Sequence, residues 1–241
     1  MSASDTRLCA LAALLHTLDK HKPLDSFWPQ DRYFQGLNPS DRAFAQLLVK
    51  TVLRRLGQID SVLGHFMEKP VDMPRIQHTL RLGAAQLLFL GTPPHAAVHS
   101  SVELAKQLKL ERLSGLVNAV LKKVAQEGAA LIETPDAAAI NTPPWLYASW
   151  LRAYGKEAAQ AIAAAHLSDP SLDLTVKSNP AEWADKLGGM LLPNGTVRLS
   201  QARGITQLAG FAEGEWWVQD AAASLPALLL GNVKGKHVID L

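Results

Sequence analysis

The chain has 241 residues, 48% of them hydrophobic and 19% charged, enough for one large domain or two modest ones with a real core. Its apolar runs, such as Ala84 to Leu90 and Leu225 to Leu230, fall far short of the roughly 20 residues of a membrane span. Asp5 stands where a secretory leader would be basic, and Cys9 alone supports neither a disulfide framework nor a cysteine-based zinc site, which fits a reducing cytoplasm. The net charge of +2 is uneven: residues 1–132 hold 16 Lys/Arg against 11 Asp/Glu, and residues 133–241 hold 8 against 11. A polyanionic partner is therefore expected on the first half.

Residues 1–132 read as helix after helix, about six in all, with no strand-like alternation. Leu8, Leu11, Leu15 and Leu18 recur at helical spacing, and a connection containing Pro and aromatic residues follows from Pro23 to Gly36. Asn38-Pro39-Ser40-Asp41 is a helix start, and the helix it opens aligns Phe44, Leu47, Leu48, Val52 and Leu56. A shorter helix covers Ile59 to Met67. Arg75 to Leu90 is apolar nearly all round and should be the central helix. His95 to Leu108 and Leu113 to Glu127 read as amphipathic helices, the second capped by Gly128.

Ala129 to Pro144 reads as a linker. Helices over Trp145 to Tyr154 and Glu157 to His166 open a small α/β module. Its strands are expected at Leu172 to Val176, Thr196 to Leu199 and Glu215 to Gln219, with a helix near Ala181 to Leu187. Asp220 caps a helix over Ala221 to Leu230, and Val238 to Leu241 reads as a strand ending in an acid. A lone parallel strand has no neighbours to satisfy it. That strand and its helix are expected to be exposed, frayed or docked opportunistically, and the chain is expected to be the front part of a larger enzyme.

The segments Trp217 to Leu230 and Gly235 to Leu241 resemble the entry into the catalytic domain of the Sun/RsmB family of RNA 5-cytosine methyltransferases. Asp41-Arg42-Ala43 through Leu53-Arg54-Arg55, Leu80 to Leu88, Pro93 to Val98 and Gly115 to Leu121 resemble the NusB-like helical domain that precedes it, and Pro144-Trp145-Leu146 with Trp150 and Tyr154-Gly155 resembles the connecting module. The resemblance implies a multidomain α plus α/β chain: a NusB-like helical RNA-binding domain over 1–132, a linker and small α/β connector over 133–219, and the first strand of a Rossmann-like methyltransferase domain over 220–241. It implies small-subunit ribosomal RNA as partner, no membrane, no oligomer, and S-adenosylmethionine as cofactor of the whole enzyme. The glycine loop and cysteines of that family would lie beyond Leu241, so this chain is expected to bind no cofactor and to be inactive alone. The first segment departs from the pattern, with Arg7 as its only arginine.

Few residues qualify for chemistry. Methyl transfer to cytosine C5 needs a thiolate, a base and a held sulfonium donor. Cys9, on an apolar helix face, reads as a core residue. Gln219, Asp220 and Asp240 are weak candidates for bordering the cofactor, and capping is the better account of Asp220. His95, His99 and Glu103 share a helical spacing that resembles a metal site, but no fourth ligand accompanies them. Of Trp216 and Trp217, alternation buries one and leaves the other for stacking. Arg42, Lys50, Arg54, Arg55, Arg81, Lys122 and Lys123 are the candidate RNA contacts, although Arg54-Arg55 and Lys122-Lys123 also suit helix carboxyl ends. A stand-alone NusB-like RNA- or protein-binding module of the transcription antitermination type is the rival reading, and another nucleotide-binding enzyme is a third.

Overall fold

The computed structural model describes residues 3–69, 71–133, 137–200 and 204–239. The chain divides into two compact units, Met1–Ser168 and Asp169–Leu241.

The first unit is helical. Helix α1 (Ala3–Leu14) continues into a π-helical turn, Leu15–Asp19. Then come α2 (Arg32–Gly36), α3 (Pro39–Arg54), α4 (Leu56–His65), α5 (Pro74–Leu88), α6 (Pro94–Gln107) and α7 (Glu111–Ile132). Helix α3 begins as its residues require: Asn38 Oδ1 accepts from Asp41 N at 2.9 Å, and Pro39 occupies the first turn. Helix α5 is central, buried without interruption from His78 to Gln86. Leu11, Leu14, Leu48, Ile59, Ile76, Leu80, Leu104 and Leu121 are all buried in one core. Each such side chain contributes roughly 1.5–3 kcal/mol of transfer free energy.

Three features of this unit differ from the sequence reading. A short helix, α2, lies in the Pro- and aromatic-containing connection, with Asp31 accepting from Phe34 N at 2.7 Å. Gly128 is not a cap but an interior residue of α7, where a Cβ would press on Leu88 and Val124 at 3.0 and 3.1 Å. The stretch expected as a linker carries α8 (Ala137–Ile140) and is fastened down. Gln58 Nε2 donates to Ile132 O at 2.9 Å, and Asn141 exchanges hydrogen bonds with Gln58 at 2.8 and 3.0 Å. Gly57 makes that approach possible, since a Cβ there would stand 1.8 Å from Ile140 O. Helix α9 (Pro144–Ala165) completes the unit, broken at Gly155 by a left-handed backbone at φ 78°. The helical unit thus extends to Ser168 rather than stopping near residue 132.

The second unit holds β1 (Leu172–Val176), α10 (Pro180–Leu187), β2 (Met190–Leu191), β3 (Val197–Leu199), β4 (Trp216–Val218) and α11 (Ala221–Leu229). The sheet is antiparallel in the order β2-β3-β1-β4, with Leu174 facing Val197 on one side and Val218 on the other. Period-two alternation turns Leu174, Val197, Leu199 and Trp216 inward against Ala184. The strand expected at Val238 to Leu241 is not formed over its described part. Val238 and Ile239 lie outside the sheet, 54% and 79% exposed. Asp240 and Leu241 lie outside the described residues.

Candidate nucleic-acid interface

Three of the seven basic residues hold partners within the helical unit. Arg81 is buried on α5, where Nε and Nη2 donate to both oxygens of Asp60 at 2.7 Å and Nη1 stands 3.0 Å from His78 Nδ1. Arg42 donates from Nε to Phe34 O at 3.1 Å and from Nη2 to Gln35 O, tying the end of α2 to α3. Arg55 donates to Gln58 Oε1 at 3.1 Å and to Leu167 O at 3.2 Å, with its guanidinium 5.2 Å above the Phe89 ring. Burial, and secondarily Arg54, lowers the Arg55 pKa. Of these three arginines, expected as phosphate contacts, Arg81 is buried, whereas Arg42 and Arg55 make these bonds while half-exposed. A planar fork that meets carboxylates and carbonyls at several points suits such bonds.

Lys50, Lys122 and Lys123 remain exposed and Arg54 half-exposed. Lys50 and Arg54, one turn apart on α3, flank a cleft of about 300 Å³ whose apolar wall includes Leu53, Leu146 and Leu167. Lys122 lines a larger cleft of about 660 Å³ between α6 and α7, together with His95, His99 and Asn118. Cations beside apolar clefts are what a phosphate backbone with unstacked bases requires.

Two of the candidate cofactor residues, Gln219 and Asp220, lie where α11 begins. Asp220 accepts from Ala222 N at 2.8 Å and Ala223 N at 3.3 Å as the N-cap of α11. Gln219 Oε1 accepts from Thr175 Oγ1 at 2.8 Å, and its backbone N donates to Asp173 O at 3.1 Å. Asp173 is the hub. Its buried carboxylate accepts from Arg198 Nε and Nη2 at 2.7 Å and from Ala221 N at 3.0 Å. The Arg198 guanidinium holds the Asp173 carboxyl below the usual carboxylate range, against the opposing effect of burial. Sequence reasoning missed this residue, although an acid between two inward leucines of an alternating strand was the available signal.

Cys9 is buried, and desolvation, then the Asp31 carboxylate, pushes its thiol up to about 12. No group of three metal-ligating side chains occurs among the described residues, and Glu103 pairs with Lys106 at 2.7 Å. Trp216 is buried, with Nε1 donating to Ala209 O at 2.8 Å, whereas Trp217 is 47% exposed.

A family model described as the NusB family matches residues 4–126, about half of the chain. The chain belongs to the NusB family. Similarity runs beyond that domain. The NusB-family chain is 34% identical over 251 aligned residues to the ribosomal RNA small subunit methyltransferase B of Vibrio cholerae, covering 98% of this chain and 57% of that protein. It is 31% identical over 225 residues to the probable ribosomal RNA small subunit methyltransferase B of Synechocystis, covering 85% of this chain and 50% of that one. The chain therefore spans about half the length of the curated relatives it matches. Its fold is similar to the crystal structure of PH0851, with a TM-score of 0.59 at 13% identity over 95% of this chain and 56% of that one. No helix among the described residues is long and apolar enough to cross a membrane.

Proposed function

We propose that this NusB-family chain is the RNA-positioning part of a cytoplasmic, S-adenosylmethionine-dependent RNA cytosine-5 methyltransferase acting on small-subunit ribosomal RNA. The observation that carries this reading is the collinear similarity to ribosomal RNA small subunit methyltransferase B over 98% of the chain, through both compact units. A stand-alone antitermination-type module would need only the part matched by the NusB model, residues 4–126. The exposure of the cations agrees: Lys50, Lys122 and Lys123 face solvent, and Arg54 does in part.

The chemistry belongs elsewhere in such an enzyme. A cysteine whose thiol is raised to about 12 is no thiolate at neutral pH. The chain on its own is expected to bind RNA and to transfer no methyl group. The test is RNA binding by the purified chain, followed by fluorescence anisotropy with small-subunit ribosomal RNA segments. Charge reversal of Lys50, Arg54, Lys122 and Lys123 together should lower affinity at least about 100-fold near physiological salt. Equal binding by the reversed variant, or incorporation of labelled methyl groups by the chain alone, would reject the reading.

A further inference from the structure

The groove between α6 and α7 sets polar side chains around an apolar floor. From α7 it receives Asn118, Lys122 and Gln126, spaced four apart and so aligned in one row. From α6 it receives His95 and His99, with Val98 and Val102 forming an apolar floor. The side chains of His95, Asn118, Lys122 and Gln126 make no hydrogen bond to the described residues, so their donors and acceptors are left for water or a ligand. Glu103, one turn beyond His99 on α6, accepts from Lys106 at 2.7 Å. At about 660 Å³ the cleft falls within the roughly 300–1,000 Å³ typical of small-ligand sites.

Each class of side chain here answers one part of a nucleotide. An ammonium answers a phosphate, a strip of valine methyls answers a base face, and an amide carries the adjacent donor and acceptor that match a base edge. We propose that this groove takes one unpaired nucleotide of single-stranded RNA. The base lies over Val98 and Val102, its edge is read by the amides of Asn118 and Gln126, and its phosphate sits at Lys122. Such a site discriminates against duplex, because base edges already paired cannot reach the amides. The inference rests on the RNA-binding reading above and adds to it a place and a preference for single strands.

The experiment compares a single-stranded RNA with a duplex of the same sequence, by anisotropy over a series of salt concentrations. Asn118→Ala with Gln126→Ala should weaken single-strand binding about tenfold, leaving duplex binding and the salt slope unchanged. Lys122→Ala should weaken both and reduce the slope by about 1. The two amides lie on a helix surface where alanine is well tolerated, and circular dichroism checks that the variants fold. Photocrosslinking of iodouridine-substituted RNA should mark residues 95–126. If wild type binds RNA but the amide variant matches it, and crosslinks gather at Lys50 and Arg54 alone, the groove assignment is overturned and the RNA reading stands. If wild type binds no RNA at all, the RNA reading itself falls, and the groove proposal with it.

Discussion

His78 lies at the meeting point of three elements. Its Nε2 is 2.7 Å from Asp19 Oδ2 at the end of the π-helical turn, and its Nδ1 faces Arg81 Nη1, which in turn is joined to the Asp60 ion pair of α4. Arg81 can only donate, so Nδ1 accepts and the proton sits on Nε2, the neutral tautomer that satisfies both neighbours. Burial lowers the His78 pKa most; the Asp19 hydrogen bond opposes it and Arg81 adds to it. The unfolded chain therefore takes up a proton before the folded one as pH falls through the ordinary imidazole range, and stability should decline there. In urea unfolding at a series of pH values, His78→Gln should be less stable at neutral pH yet lack that decline. Gly57 gives a second residue-scale prediction. Alanine in a helix interior normally gains up to about 1 kcal/mol over glycine. Here its Cβ would overlap Ile140 O, a backbone atom that cannot swing aside. Gly57→Ala should instead cost about 2 kcal/mol, read as a lower thermal midpoint.

At the scale of elements, Asp173 joins β1, β3 and the start of α11 through one carboxylate. Asp173→Asn keeps the shape but loses the bidentate charge pair. With Arg198 partly solvated, a loss of about 2 kcal/mol is expected, seen as faster hydrogen exchange at Leu172 to Leu174 and at the first turn of α11. Because the folded carboxyl titrates below its usual range, the wild-type contribution is full above the ordinary carboxylate pKa and is lost as pH falls through the folded value. The elements themselves were largely legible from local pattern. Asn38-Pro39 announces α3, and alternation announces β1, β3 and β4. Local pattern could not show that Gly128 packs against Leu88 rather than ending α7. Nor could it show that Asn141 closes on Gln58 across 83 positions, because both depend on a distant partner.

For the whole molecule, charge counted along the chain overstates the surface available to a polyanion. Part of the excess in residues 1–132 is tied up within the fold: Arg81 is buried on Asp60, and Arg42 and Arg55, half-exposed, bond main-chain carbonyls. Four phosphate contacts from Lys50, Arg54, Lys122 and Lys123 imply a salt slope for single-stranded RNA no steeper than about −3. A markedly steeper slope would mean that cations outside this set meet the backbone. The candidate interface was legible as a composition but not as a set of residues. Which arginines face water follows from tertiary pairing, and the α6–α7 groove appears only when two separate i, i+4 rows are laid side by side.

The fastening of residues 137–143 also bears on chain length. Asn141 reaches back to Ala137 O and Thr142 to Ala138 O, while Asn141 holds Gln58 and Ile140 passes at Gly57. One residue inserted in α8 would turn Asn141 by about 100° and carry it off all of these partners together. Loops are ordinarily where a protein can gain or lose a residue without penalty. This stretch is connective by position alone, and it should be as intolerant of insertion and deletion as the interior of a core helix.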